Sequence, residues 1–110
     1  MLALIASIEI GIYYKDIEWK KNIYAKLLKE GRMCFSLHSL SEHYIRFNDH
    51  YLTMGIYFLP ANNSSRGYRF DKVYYQEGIS DDIKTQVIFP AYMSKPYIIP
   101  DGFGREERNG

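Results

Sequence analysis

The segment Arg66-Gly67-Tyr68-Arg69-Phe70-Asp71-Lys72-Val73-Tyr74-Tyr75-Gln76-Glu77-Gly78 holds the residue types best spaced for chemistry. Its apolar run, Val73-Tyr74-Tyr75, ends in Gln76-Glu77, and open α/β sheets gather their ligands at the carboxyl ends of strands. Glu77 at that strand end is a hint of chemistry. Just upstream, Arg66, Arg69 and Lys72 alternate with aromatic residues, a combination suited to the phosphates and bases of single-stranded nucleic acid. Other clusters say less. Of His38, His43 and His50, only the last two are spaced to share a helix face, and no further ligands gather near them, so no metal site is expected. Ser36, His38 and Ser39 are neighbours in sequence, which is not the geometry of a nucleophile and its base; capping and local hydrogen bonds account for them.

The elements that must position these residues follow in order. Ile8, Ile10 and Ile12 alternate with Ser7, Glu9 and Gly11, the pattern of a strand within the apolar stretch Met1 to Tyr14. Asp16 can cap a helix running to about Glu30, with Ile17, Tyr24, Leu27 and Leu28 on one side and Trp19 and Ile23 widening that stripe. The lysines at 20, 21, 26 and 29 mostly face away, and Gly31 supplies the stop. A second strand is expected over Arg32 to Leu37. Ser39-Leu40-Ser41-Glu42 then fits a capping box that opens a second helix, whose buried face would be Leu40, Tyr44 and Phe47. Met54 to Leu59 reads as a third strand closed by Pro60, and Ala61 to Ser65 as a loop. Phe70 to Gln76 is the fourth strand, and Ser80-Asp81-Asp82 caps a third helix to about Ile88. Pro90, Pro96 and Pro100 exclude further long helix, so Ala91 to Ile99 should be an extended arm and Asp101 to Gly110 a mobile tail. The expected fold is a single α/β domain over residues 1–100: a mostly parallel sheet of about four strands, two to three helices and the C-terminal arm.

With that order in place, Arg66-Gly67, Phe70-Asp71 and the run Val73 to Glu77 resemble the second acidic-strand motif of P-loop ATPases. The resemblance implies ATP and magnesium as cofactors, Glu77 as the acid orienting the attacking water, and Gln76 at the position of the magnesium-holding acid. It would make Lys15, following Gly11, the phosphate contact. No intact P-loop accompanies the motif, because Asp16 stands where Ser or Thr would follow the lysine.

The bulk composition narrows the function classes. The chain has 110 residues, enough for one core without disulfides, and a formal charge of +1 that creates no global field toward nucleic acid or anionic membranes. The apolar amino terminus has no basic residue before it and is interrupted by Glu9, so no membrane contact is expected and the chain reads as cytoplasmic. Cys34, the single cysteine, sits in Met33-Cys34-Phe35 and reads as a buried, reduced thiol. Eleven tyrosines and no complete catalytic constellation favour a non-enzymatic interaction module without a cofactor, suited to a phage or mobile-element protein that modulates a host factor. Its expected partner is another protein or a second copy, engaged through the arm residues Phe89, Tyr92, Met93, Tyr97 and Ile98. A diverged nucleotide-binding domain and a single-stranded nucleic-acid binder are the alternatives.

Overall fold

The computed structural model describes residues 6–91 and 96–100. Strand β1 (Ala6–Tyr14) leads into helix α1 (Ile17–Cys34), followed by β2 (Ser36–Ser41), β3 (Tyr44–Asn48) and β4 (Leu52–Pro60). A short turn of helix at Asn63–Ser65 precedes β5 (Lys72–Gln76), and β6 (Tyr97–Ile99) closes the series. Between β5 and β6 runs a helical segment, α2, that begins at Asp81–Ile83, widens into a π-type turn over Lys84–Ile88 and tightens at Phe89–Ala91. The strands form one six-stranded sheet in the order β2-β3-β4-β1-β5-β6. β1 pairs parallel with both β4 and β5, and β5 with β6, whereas β2, β3 and β4 form an antiparallel meander. The α/β expectation holds, but the sheet is mixed and has six strands, rather than a mostly parallel four.

The extra strands come from the region read as a second helix. Leu40 to Asn48 contains the end of β2, a turn at Glu42-His43 and all of β3. The physical reason lies in Tyr44-Ile45-Arg46-Phe47-Asn48: Ile45 and Phe47 are buried while their neighbours point to the opposite face, a period of two. A helix over the same residues would have left Ile45 off its buried stripe. The Ser39 hydroxyl, assigned to a cap, lies 3.1 Å from Nδ1 of His38 instead.

Helix α1 begins where expected, with Oδ1 of Asp16 accepting from the Glu18 N–H at 2.9 Å. It does not stop at Gly31, which lies inside the helix where a Cβ would drive into the Phe47 ring. Arg32 to Cys34, expected in a strand, form its last turn, and three further expectations along Ile17–Cys34 need correction. Ile17 is half exposed, and the buried contacts fall to Trp19 and Ile23. Lys20 is buried rather than solvated: its ammonium donates to the Glu42 carbonyl and lies 5.5 and 6.0 Å from the Tyr24 and Phe58 ring centroids. Burial pushes its pKa down, and the rings together with the carbonyl compensate for lost water. Cys34 is exposed, because the last turn of α1 directs Met33 and Cys34 to solvent while Phe35 packs on the core.

Alternation along the strands gives the sheet two unlike faces. On the first, Ile12, Tyr14, Ile45, Phe47, Ile56 and Phe58 pack against Trp19 and Ile23 of α1. On the second, Tyr13, Val73 and Tyr75 pack under Ile79, Val87, Ile88 and Ala91 of the α2 region. Ser80 caps α2, its Oγ accepting from the Ile83 N–H at 3.4 Å. α2 is shorter than the sheet is wide, so the second face is sealed over β5 and the end of β1 only. No helix among the described residues is long and apolar enough to cross a membrane.

Candidate functional site

The carboxyl ends of β1 and β5 bring together Lys15, Gln76 and Glu77, the residues to which the ATPase resemblance gives roles. Oε1 of Gln76 accepts from the backbone N–H of Lys15 at 2.9 Å and of Asp16 at 3.2 Å, with the side chain almost fully buried. Gln76 thereby locks the corner between β1 and α1. The Lys15 side chain lies against Gly78, a position with φ of +89° where any Cβ would strike the ammonium. The Glu77 N–H donates to the Ile99 carbonyl at 3.0 Å, extending the β5–β6 pairing. Lys15, Gln76 and Glu77 thus meet at one sheet end, yet the helix N-terminus beside them is already occupied by the Asp16 carboxylate. Among the described residues no group of three or more His, Cys, Asp or Glu is placed to hold a metal ion.

The basic residues of the segment Arg66 to Gly78 separate. Arg66 reaches over α2, its Nη2 donating to Oε1 of Gln86 at 3.5 Å. Lys72 points to the other face of the sheet, with Nζ 5.8 Å from the Tyr97 ring centroid. Arg69 is exposed on the loop between them. Of the arm residues, Phe89 packs edge-on against Tyr75 at 6.3 Å, and Tyr97 and Ile98 belong to β6, paired with β5 of the same chain. Tyr92 and Met93 lie outside the described residues, as does the tail from Asp101 onward. The three histidines are dispersed along β2, the Glu42-His43 turn and the β3–β4 connection.

A different constellation occupies the second face where α2 does not reach. Glu9 of β1, Arg46 of β3 and Tyr57 of β4 converge over Gly55, whose missing Cβ leaves room for the Glu9 carboxylate and for Nη2 of Arg46. That Nη2 lies 2.9 and 3.3 Å from the two Glu9 oxygens and 3.4 Å from the Tyr57 hydroxyl, while Nε donates to the Tyr44 hydroxyl. The pair is partly exposed, at 21% for Arg46 and 30% for Glu9. Hydrogen bonding to Glu9 raises the already high pKa of Arg46, so the guanidinium stays charged at every physiological pH. Burial, then the Glu9 carboxylate, raises that of Tyr57, so its hydroxyl keeps its proton.

Aromatic rings extend this cluster across the face. Tyr44 and Tyr57 lie 4.8 Å apart, Tyr57 and Phe70 5.6 Å, and Phe70 stacks on Tyr68 at 5.9 Å with nearly parallel planes. Gly11 makes space for Phe70, whose ring covers the site of the absent Cβ. Asp71 anchors the start of β5 beside Glu9 through two contacts, its Oδ2 accepting from the Glu9 N–H at 2.7 Å and its N–H donating to the Glu9 carbonyl at 2.8 Å. Sequence reasoning missed Glu9, Tyr44, Arg46 and Tyr57 as a site. The available signals were an acid inside an isoleucine-rich strand and an arginine between Ile45 and Phe47 in a period of two. Comparison with protein-family models, with curated proteins and with solved structures found no match to this chain.

Proposed function

We propose that this chain is a non-enzymatic interaction module that docks on another protein, or on a second copy of itself, through the open half of its second sheet face. The observation that supports this reading is the half-exposed run Tyr44, Arg46, Tyr57, Phe70 and Tyr68 built around the Arg46–Glu9 pair. Tyrosine and arginine are the side chains that most often dominate binding energy, since each offers a large rigid surface with a polar end. Here Gly55 and the Tyr44 and Tyr57 hydroxyls hold the guanidinium in place before any partner arrives, which lowers the ordering cost of association. A cytoplasmic setting and the role of a phage or mobile-element modulator of a host factor belong to the same proposal. The test is affinity capture together with sedimentation of the purified protein, repeated with Arg46→Ala plus Tyr57→Ala. Loss of the captured partner, or of the dimer, supports the reading. Undiminished association in the folded double variant refutes it.

A second reading, a diverged nucleotide-binding domain related to P-loop ATPases, draws support from the convergence of Lys15, Gln76 and Glu77 at the ends of β1 and β5. Against it stands the Asp16 carboxylate at the N-terminus of α1, which repels phosphate where such a domain needs to attract it. Calorimetric titration with ATP and ADP, with and without magnesium, decides this reading: saturable binding weakened by Lys15→Ala upholds it, and a flat titration ends it.

A further inference from the structure

The first sheet face also contains a concavity that α1 leaves unfilled. A cavity of about 500 Å³ lies between α1 and β6, with Ile10 and Ile56 in its floor, Leu27 in one wall, Tyr97 and Ile99 in the other, and Met54 near the amino-terminal ends of the strands. This volume is in the range of small-molecule sites, and among the described residues the lining side chains supply no oxygen or nitrogen besides the hydroxyls of Tyr74 and Tyr97. Its far end is tied shut, because the Trp19 indole N–H donates to the Pro100 carbonyl at 3.3 Å and thereby pins the end of β6 to α1. Its other end carries a charge: Lys72 is in register with Ile10, and its ammonium sits 5.8 Å from the ring centroid of Tyr97.

We propose that this cavity binds a small amphipathic carboxylate, with the apolar tail between α1 and the sheet and the carboxylate beside Lys72. The apolar lining gives an inserted tail its driving force, since water gains few hydrogen bonds there. Lys72, the cation that the described residues place at the mouth, selects the head group: an anion is attracted and a quaternary ammonium repelled. Directionality follows from the closed Trp19–Pro100 end, so the tail enters first. This site is on the opposite face of the sheet from the Arg46–Glu9 cluster and stands or falls independently of it.

Trp19 is the only tryptophan in the chain and therefore reports from the closed end. The experiment titrates the full chain with dodecanoate below its micelle concentration and follows Trp19 fluorescence, with dodecanol, dodecyltrimethylammonium and phosphatidylcholine–phosphatidylglycerol vesicles in parallel. The expected result is one-to-one saturation by dodecanoate, weaker binding of dodecanol and none of the ammonium. Lys72→Glu, a surface change that leaves folding intact, should weaken dodecanoate about fivefold and leave dodecanol unchanged, the effect of reversing one exposed charge. Met54→Phe should weaken both by narrowing the mouth. Should that variant fail to fold, Met54→Leu is the control expected to bind as the parent does. No saturable change, equal binding of the ammonium, insensitivity to Lys72→Glu, or a response to vesicles alone would each overturn the proposal.

Discussion

The two halves of the second sheet face share strand β1 and end in opposite states. Strand β1 contributes Tyr13 to one half, fully buried beneath α2, and Glu9 to the other, partly exposed and paired with Arg46. In the covered half Val73 and Tyr75 of the sheet meet Val87 and Ile88 of α2; in the open half the sheet positions are Tyr44, Arg46, Gly55 and Tyr57. The difference teaches where this fold keeps stability and where it keeps a surface. Apolar burial closes the first half, whereas the second is organised by one charge pair and stacked rings that remain accessible.

The largest contrast should come from truncating one residue on each side. Ile88→Ala removes a fully buried side chain and should lower unfolding free energy by about 2–5 kcal/mol, whereas Tyr57→Ala should lower it by about 1 kcal/mol, both read from urea denaturation. Binding should show the reverse order. Arg46→Ala should weaken partner association at least tenfold at a stability loss of about 1 kcal/mol, with Arg46→Lys intermediate because lysine keeps the charge but not the fork that meets Glu9 and the tyrosines. Two glycines give a subtler comparison. Gly31→Ala pushes a methyl into the packed Phe47 ring and should cost about 1–3 kcal/mol, while Gly55→Ala meets first the movable ends of Glu9 and Arg46 and then, at 3.2 Å, the edge of the Tyr57 ring, and should cost about 1 kcal/mol yet disturb association.

The smallest effect at neutral pH is also the most diagnostic of burial. Tyr13 has its pKa pushed up from 10.0 to about 12, first by burial and then by the nearby Tyr68, and among the described residues its hydroxyl has no hydrogen-bond partner. The folded state holds this proton more tightly than the unfolded chain. Stability from this group is therefore present below pH 10 and is lost between pH 10 and about 12, to a limit of about 2–3 kcal/mol. Tyr13→Phe should remove that part of the alkaline decline and leave stability at pH 7 equal or slightly higher, since an unsatisfied hydroxyl is deleted. Identical alkaline slopes for the two proteins would contradict the burial assigned to Tyr13.

Local signals in the sequence located much of the framework. The alternating isoleucines of β1, the Asp16 cap, Pro60 closing β4 and the Ser80 cap of α2 all act through neighbours within a few residues, and all are found in place. β3 was ambiguous because Leu40, Tyr44 and Phe47 satisfy a helical period while Ser39 and Glu42 imitate a cap; tertiary burial of Ile45 decides for the strand. The Arg46–Glu9 pair was illegible for a different reason. Its members are 37 residues apart and meet only through a register set by β3, β4 and β1 together, so neither residue announces the other. Lys15 and Gln76 illustrate the middle case, since the end of a parallel strand was readable but the use of Gln76 as a backbone clamp was not.

The most direct test of the open face as the functional one is affinity capture and sedimentation of Arg46→Ala plus Tyr57→Ala beside the parent, with near-ultraviolet circular dichroism as the check on folding. The expected result is a native spectrum with association reduced at least tenfold. A native spectrum with association unchanged would contradict the assignment of that face as the binding surface.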